Sequence, residues 1–333
     1  MREFAYRRAT DLDGALALLA EAPDPAEARF LGGGTNLVDL MKSGVERPSL
    51  LVDVRELPLG GIESTAEGGL RIGATVSNSD LAADGEVRRR YPLLAQAVLA
   101  GASGQLRNMA TVGGNLLQRT RCGYFADVSR PCNKRVPGSG CPAIQGEHHN
   151  HAILGASPHC VAVHPSDMGV ALAALDAVVT YRTAQGEGRL PLTDFYLPVG
   201  DSPHRETALP PGALITGVVL PPAPVAAHSR YRKVRERASY AFAIGSVAAA
   251  LAVEGGTVRQ VRLALGAVAS HPWRARAAEA ALTGRPATPA SFAAAAEAEL
   301  ATAAPLPHNG YKVTLLHNLM VAVLTELTQE ATR

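Results

Sequence analysis

Four cysteines are the residues of this sequence whose type and spacing most directly suggest chemistry. They are Cys122, Cys132, Cys141 and Cys160, and all of them fall between positions 122 and 160 of a 333-residue chain. A chain of this length, 47% hydrophobic, can build its own core and does not need disulfides to fold. Four thiols in one segment, with none elsewhere, are therefore expected to act as a set.

The spacing leaves three interpretations of these thiols open. Structural zinc sites usually contain closely spaced C-x2-4-C pairs, which this segment lacks. The C-x2-C-x2-C run of ferredoxins is also missing, but long gaps are compatible with a cubane iron–sulfur cluster, which needs thiolates from several directions. A cluster is therefore favoured over zinc, and zinc over disulfides or unlinked thiols.

The charge of the same segment favours the cluster. Four thiolates around iron leave a negative centre, which nearby cations would stabilise. Positions 119–160 carry five basic side chains against two acidic ones, namely Arg119, Arg121, Arg130, Lys134 and Arg135 against Asp127 and Glu147. Prolines and glycines between 131 and 146 predict an irregular wrapping loop. The histidines of the run 147–151 lack helical i, i+4 spacing and are expected to be ordinary loop residues.

A glycine-rich turn near the N-terminus could hold a phosphate. Residues 28–43 lead from an apolar strand through the glycines at 32–34 into a helical pattern. Residues without a Cβ allow a sharp turn that brings backbone N–H groups against an anion. Thr35 and Asn36 add a hydroxyl and an amide at the start of the helix, where the dipole also favours an anion.

A second turn of the same kind strengthens this interpretation. Residues 107–117 place Thr111, Gly113, Gly114 and Asn115 in another tight bend. Two loops lined by amides could hold a pyrophosphate from both sides. Neither contains the lysine of a Walker loop, so hydrolysis of a nucleoside triphosphate is not expected. The two turns predict a dinucleotide held in an extended form between two subdomains.

Hydrophobic periodicity and the positions of proline and glycine predict the helices and strands that must position these residues. Strands are predicted at 50–54, 70–76, 231–237 and 258–268, with a hairpin at 177–192. Helices are predicted at 86–100, 166–175, 274–282, 290–302 and 311–330. The stretch 209–224, rich in proline and glycine, is predicted to be a domain boundary.

Composition excludes several classes of partner. The formal net charge is +2, and no basic stripe interleaved with aromatic residues is present, so nucleic-acid binding is not expected. The longest uncharged run without proline, 238–253, is shorter than the roughly 18–20 residues that a bilayer requires. Arg7 and Arg8 are followed at once by Asp11 and Asp13, so no export signal is predicted and the chain is expected in the cytoplasm.

Four motifs, taken in order, resemble one known family. They are LGGGTNL, MATVGGNL, PSDMGVAL and YRKVRERASYAFA, and they resemble the FAD-binding (medium) subunit of the xanthine dehydrogenase and molybdenum hydroxylase family over essentially the whole chain. Most members run almost directly from TVGGN to the SD motif, whereas here the intervening segment is expanded and holds the cysteines. This departure resembles the flavoprotein subunit of bacterial periplasmic aldehyde oxidoreductase, whose equivalent insertion carries a [4Fe–4S] cluster. With that resemblance, the cluster is favoured well above zinc.

The resemblance implies an α+β architecture. A two-subdomain FAD-binding fold of the vanillyl-alcohol-oxidase/PCMH type would be followed by a C-terminal domain of a small sheet and helices. The predicted divisions are a first FAD-binding subdomain at 1–57, a second at 58–222 with the iron–sulfur insertion at 119–162, and a C-terminal domain of the CO-dehydrogenase-flavoprotein type at 225–330.

The resemblance also implies the residues of the cofactor sites. Two segments would hold the FAD pyrophosphate: Phe30, Leu31, Gly32, Gly33, Gly34, Thr35, Asn36 and Leu37 in the first turn, and Thr111, Val112, Gly113, Gly114 and Asn115 in the second. Asp167 would hydrogen-bond a ribose or ribityl hydroxyl, and Lys233 would lie near the flavin. Arg107 and Ile215 complete the FAD-binding set, and Cys122, Cys132, Cys141 and Cys160 would ligate the cluster.

The implied function is that of an electron-transfer subunit. A large subunit with a molybdenum cofactor would oxidise an aldehyde or xanthine-type substrate, and a small subunit with [2Fe–2S] centres would pass electrons to FAD and on to an external acceptor. The chain could then reach the periplasm by export with a partner that carries a signal. Two alternatives remain: a free-standing FAD-dependent reductase or oxidase of the same fold, and a four-cysteine zinc interaction module on a flavin-free scaffold.

Overall fold

The computed structural model describes residues 1–22, 24 and 27–331, which form three β-sheets with helices packed against them. The strands are β1 (Ala5–Arg8), β2 (Ala28–Leu31), β3 (Leu50–Asp53), β4 (Ile62–Ser64), β5 (Leu70–Gly73), β6 (Val178–Thr183), β7 (Gly186–Pro191), β8 (Leu214–Leu220), β9 (Ser229–Val234), β10 (Gly245–Glu254), β11 (Thr257–Gly266) and β12 (Trp273–Arg274). The helices are α1 (Leu12–Ala20), α2 (Leu37–Lys42), α3 (Asn78–Ala83), α4 (Gly85–Arg90), α5 (Pro92–Ala100), α6 (Gly104–Met109), α7 (Val112–Leu116), α8 (Gly123–Ala126), α9 (Asp167–Ala174), α10 (Leu192–Phe195), α11 (Arg276–Leu282), α12 (Pro289–Leu300) and α13 (Tyr311–Ala331). Within these described residues, no helix is long and apolar enough to cross a bilayer.

The first sheet is small and parallel, in the order β1-β3-β2. Its central strand, β3, is buried at all four positions, as expected for the middle of a parallel sheet covered on both faces. The first glycine-rich turn follows β2 directly, so this sheet fixes where that turn begins. The three sheets lie within 1–57, 58–222 and 225–330 respectively, although the exact domain boundaries stay a prediction.

The second sheet is antiparallel, in the order β4-β5-β8-β6-β7, and it contains the hairpin that was predicted at 177–192. Its middle strand, β8, lies inside the stretch 209–224, so the boundary predicted from this stretch does not extend through all of it. The prolines lie on either side of β8, whereas the strand itself is a run of Leu, Ile, Thr and Val broken by one glycine. Such β-branched residues suit a buried central strand, and composition averaged over sixteen positions concealed them.

The third sheet, β9-β10-β11-β12, is antiparallel and carries helices α11–α13 against it. Strand β10 was not predicted, because its first seven residues are all buried and show no alternation of polar and apolar side chains. The helix predicted at 86–100 is divided into α4 and α5 at Tyr91. Pro92 disfavours a helical backbone at the residue before it and starts the next helix instead.

The cysteine-bearing segment, 119–162, is irregular, as predicted, and is anchored to the start of α13. Lys312 is fully buried, and its ammonium donates to the carbonyl oxygens of His151 at 2.9 Å and Ala267 at 2.5 Å. The amide of Asn309 donates to the carbonyl of Ala152 at 3.1 Å. The C-terminal domain therefore holds this segment through backbone carbonyls, whose positions do not depend on the local side chains.

The two glycine-rich turns lie in direct contact. A Cβ on Gly33 would stand 1.7 Å from the carbonyl oxygen of Met109, and one on Gly32 would stand 2.7 Å from Oγ1 of Thr111. Gly34 has a φ of 73°, in the left-handed region that favours glycine. Gly32 and Gly33 are thus required by close contact with the second turn, and Gly34 by its backbone conformation.

We predict that Gly33→Ala separates the two turns, because the added methyl group meets backbone atoms that cannot rotate away. The free energy of unfolding should fall by about 1–3 kcal/mol, and the purified protein should retain less flavin than wild type. Thermal unfolding and the ratio of flavin to protein absorbance measure both effects. Gly104→Ala is the control, because no atom lies within 4 Å of its added Cβ. Unchanged stability and flavin content in Gly33→Ala would contradict the prediction.

Candidate functional site

A groove of about 1430 Å³ is lined by both glycine-rich turns. Its volume exceeds the roughly 300–1,000 Å³ of sites for drug-sized ligands, as a dinucleotide requires. The segments 164–168, 204–211 and 233–242 contribute further walls. The residues predicted to hold FAD that line this groove are Phe30, Leu31, Gly32, Gly33, Gly34, Thr35, Asn36, Leu37, Thr111, Gly114, Asn115, Asp167 and Lys233.

Four residues of the predicted FAD-binding set are not in this lining. Val112 and Gly113 are buried at the start of α7, behind the second turn. The guanidinium of Arg107 donates to the carbonyl of Gly101 at 2.7 Å, and Ile215 is only 4% exposed within β8. These four residues support the wall from behind: the side chains of Val112, Ile215 and Arg107 are used in packing or in bonds to the backbone, and Gly113 packs closely against Ala74.

Asn36 provides a test of whether the groove fits a diphosphate. Its Oδ1 accepts a hydrogen bond from the backbone N–H of Arg119 at 2.9 Å, which fixes the amide plane. Its Nδ2 is buried and has no hydrogen-bond partner among the described residues. A buried donor without a partner is costly, and an anionic oxygen in the groove would satisfy it. The side chain thus fits the phosphate-binding role predicted for it.

The second turn is held by its own side chains and by α9. Oγ1 of Thr111 accepts from the N–H of Gly114 at 3.2 Å and caps α7. Oδ1 of Asn115 accepts from the hydroxyl of Ser166 at 2.6 Å, and Ser166 also caps α9. This hydrogen bond joins the second turn to the helix that carries Asp167.

Asp167 and Lys233, predicted separately as contacts of FAD, are paired with each other. The Lys233 ammonium lies 2.8 Å from Oδ2 of Asp167, and its side chain is only 3% exposed. Tyr231 donates its hydroxyl to Oδ1 of the same carboxylate at 2.5 Å, and burial raises the pKa of Tyr231 well above its ordinary value. The sequence prediction missed Tyr231, although positions 231 and 233 of one strand face the same side of the sheet.

A partly buried ion-pair network joins the groove to the cysteine segment. Arg119 contacts Glu46 and Glu206, each at 2.6 Å, and the Lys134 ammonium reaches Glu206 at 2.8 Å. Although burial opposes it, the two cations lower the pKa of Glu206. Sequence reasoning counted Arg119 and Lys134 only as positive charges of the loop. Nothing in the local sequence could identify Glu206, which is more than seventy positions from Lys134, as their common partner.

The four cysteines meet around one small cavity, whose lining includes all of them and Lys134. They are described as free thiols, so the disulfides that the spacing left open are not formed. Within the described part of the chain, no three His, Cys, Asp or Glu side chains are arranged to hold a single metal ion. A cubane cluster has a different requirement, because each thiolate binds a separate iron and the sulfurs stand farther apart than around one zinc ion.

The surroundings of these sulfurs affect their pKa values in different ways. The backbone N–H groups of Val161 and Ala143 act to lower the pKa of Cys141, and that of Ala162 acts to lower the pKa of Cys160. A hydrogen bond from Cys160 lowers the pKa of Cys141 to about 7, and the same contact raises the pKa of Cys160. Negative charge is therefore favoured on Cys141, and four sulfurs around one cavity are a donor set that fits a metal centre ligated by thiolates.

The histidine run at 147–151 is divided among different contacts, as its spacing predicted. Nδ1 of His148 contacts the carbonyl of Ala143 at 3.1 Å, and its ring is fully buried. The ring of His149 stacks on Tyr311 with centroids 4.6 Å apart. His151 instead points at the sulfur of Cys122. The three rings do not converge on one point.

We predict that His164, which lines the groove, makes stability depend on pH on the acidic side. Burial lowers its pKa from 6.5 to about 3, although the nearby Glu206 carboxylate opposes the shift. As the pH falls through this window, the unfolded chain binds a proton that the folded chain does not, so stability is lost at up to about 1.4 kcal/mol per pH unit.

Thermal unfolding between pH 6.5 and pH 4 tests this prediction. His164→Gln should flatten the decline of the melting temperature with acidity, whereas the same substitution at the exposed His204 should leave the decline as in wild type. An identical slope in His164→Gln and wild type would show that the proton is taken up elsewhere.

Comparison with known proteins gives a consistent result for both halves of the chain. The model of the FAD binding domain in molybdopterin dehydrogenase matches residues 2–223, and that of the CO dehydrogenase flavoprotein C-terminal domain matches residues 229–327. The aldehyde oxidoreductase FAD-binding subunit of Escherichia coli is 50% identical over 333 residues, which cover 99% of this chain and 100% of that relative. The glyceraldehyde dehydrogenase medium chain of Sulfolobus acidocaldarius is 28% identical over 283 residues, 85% of this chain and 82% of that one.

Solved structures agree with this result over nearly the full length. A chain of quinoline 2-oxidoreductase from Pseudomonas putida matches with a TM-score of 0.77 and 25% identity, covering 100% of this chain and 99% of that one. A chain of the carbon monoxide dehydrogenase from Hydrogenophaga pseudoflava that lacks the Mo-pyranopterin moiety matches with a TM-score of 0.74 and 26% identity, covering 97% and 96%. The resemblance and the α+β fold predicted from the motifs are confirmed, and the chain belongs to the family of FAD-binding medium subunits of the molybdenum hydroxylases.

Proposed function

We propose that this chain is the FAD- and [4Fe–4S]-containing electron-transfer subunit of a molybdenum-dependent aldehyde oxidoreductase. A large subunit with the molybdenum cofactor and a small subunit with [2Fe–2S] centres would be its partners, and an external acceptor would receive the electrons. The observation that carries the proposal is that consecutive residues, Arg121 and Cys122, line the FAD groove and the four-thiol cavity respectively.

The groove supplies the residues that the flavin requires. When bound, FAD supplies the electron chemistry, and the protein supplies binding, orientation and electrostatics. The N–H groups of the glycine-rich turns and the unpartnered Nδ2 of Asn36 would hold its diphosphate. The buried Lys233 brings a positive charge to the wall, which would favour an anionic reduced flavin, although the Asp167 carboxylate partly neutralises that charge.

The four-thiol cavity has the donors and the charges that a cluster requires. All four thiols line it, and the buried Lys134 belongs to the same wall, with its ammonium 2.8 Å from the Glu206 carboxylate. A bound [4Fe–4S] cluster would carry electrons one at a time. The 50% identity to an aldehyde oxidoreductase subunit makes an aldehyde the favoured substrate class of the complex.

The spatial relation between the two sites supports a role in electron transfer. Arg121 lines the FAD groove, and the next residue, Cys122, lines the thiol cavity. A second cavity of about 430 Å³ has both Cys122 and Asp167 in its walls. The cluster and the flavin would therefore lie on opposite sides of a thin layer of protein.

Analysis of the purified complex tests the proposal. We expect FAD, iron and acid-labile sulfide with no stoichiometric zinc, and the reduced complex should give a [4Fe–4S] signal in low-temperature electron paramagnetic resonance beside the [2Fe–2S] signals of the small subunit. Stoichiometric zinc without a third signal would favour the four-cysteine zinc site. Full activity of this chain without its partners would favour a free-standing reductase or oxidase.

We predict that Cys141→Ala removes the iron of this chain, because three thiolates leave one corner of the cluster without a ligand. The loop at 119–162 should become more sensitive to proteolysis, while FAD should remain largely bound. The [2Fe–2S] signals act as an internal control for assembly, and Val136→Ala, at an exposed position of the same loop, controls for local disturbance. Iron at the wild-type level would show that Cys141 is not a ligand.

A further inference from the structure

His151 makes the one imidazole contact to a cysteine sulfur found among the described residues. Its Nε2 lies 3.2 Å from Sγ of Cys122. Its Nδ1 is buried and has no hydrogen-bond partner within the described chain. The ring is thus directed at the sulfur by one nitrogen, and the other nitrogen makes no competing hydrogen bond.

The backbone of His151 holds the ring in this position. Its N–H donates to the carbonyl of His148 at 3.0 Å, and its carbonyl accepts from the ammonium of Lys312 at 2.9 Å and from the amide of Asn309 at 3.3 Å. Lys312 and Asn309 are both fully buried. The C-terminal domain therefore fixes the backbone position from which the imidazole extends before any group binds to the thiols.

The chemistry of a ligating cysteine decides which atom donates. A cysteine that binds iron is a thiolate and carries no proton, so a contact of 3.2 Å is favourable only if the proton is on Nε2. Hydrogen bonds to cluster sulfurs stabilise the reduced state, whose negative charge is greater, and so raise the reduction potential.

We infer that His151 is a positioning residue that donates a hydrogen bond from Nε2 to the Cys122 sulfur and thereby raises the reduction potential of the proposed cluster. This inference rests on the proposed function, because it requires the four thiols to hold a cluster. Residues 148 and 149, which belong to the same run, do not share the role. His148 is bound to the backbone of Ala143 and His149 stacks on Tyr311.

The test compares His151→Phe with His151→Gln in the assembled complex. Phe keeps a planar ring but has no donor, whereas Gln can place its amide N–H near the position of Nε2. Redox titration followed by electron paramagnetic resonance should show a more negative midpoint potential in His151→Phe, with about a tenfold smaller equilibrium constant for reduction, or about 59 mV for one electron. His151→Gln should restore most of the difference, and His149→Gln should leave the wild-type potential.

The outcomes distinguish a failure of this inference from a failure of the proposed function. Wild-type complex without a [4Fe–4S] signal overturns the proposed cluster itself. A wild-type signal with an unchanged potential in His151→Phe overturns only the role of His151. If His151→Phe does not assemble, wild-type complex labelled with ¹⁵N-histidine decides the matter. Pulsed electron paramagnetic resonance of the reduced cluster should detect coupling to a histidine nitrogen. Absence of this coupling would refute the hydrogen bond.

Discussion

The contact between the backbones of two glycine-rich turns is the constraint on which the rest of the site depends. Gly33 approaches the carbonyl of Met109 more closely than any residue with a Cβ could. One turn follows a parallel sheet and the other forms the start of α7, which packs against β5 and β8, so their contact joins the first two sheets at the groove. The N–H groups that would face a diphosphate are ordered because backbone, and not flexible side chains, determines their separation.

Ion pairs connect the wall of the groove to the cysteine segment, as the contact between the glycine-rich turns connects the first two sheets. The Glu206 carboxylate is shared by Arg119 and Lys134, and Arg119 also reaches Glu46. Removing one partner of such a partly buried network leaves an uncompensated charge, which costs more than the pair contributes. The cysteine segment is therefore not an independent addition to an FAD-binding fold, because it shares its buried charges with the wall of the groove.

The sequence predicted well those parts of the molecule that are determined locally. The glycine turns, the hairpin and the three C-terminal helices follow from nearby residues, and the turns meet as expected. Strand β10 escaped prediction because burial on both faces removes the polar alternation that identifies a strand. Tyr231 and Glu206 escaped for another reason: their partners, Asp167 and Lys134, lie more than sixty positions away. Only the packing of sheets and helices brings such residues together, and no motif in one sequence encodes it.

The attachment of the cysteine segment to Lys312 has a consequence for biosynthesis. Helix α13 follows the cysteine segment in the chain and is synthesised after it, yet it supplies the buried ammonium that fixes the carbonyls of His151 and Ala267. A nascent chain still on the ribosome has all four thiols but not the anchor that holds them in place. Loading of any group onto these sulfurs is therefore expected to follow the synthesis and docking of α13.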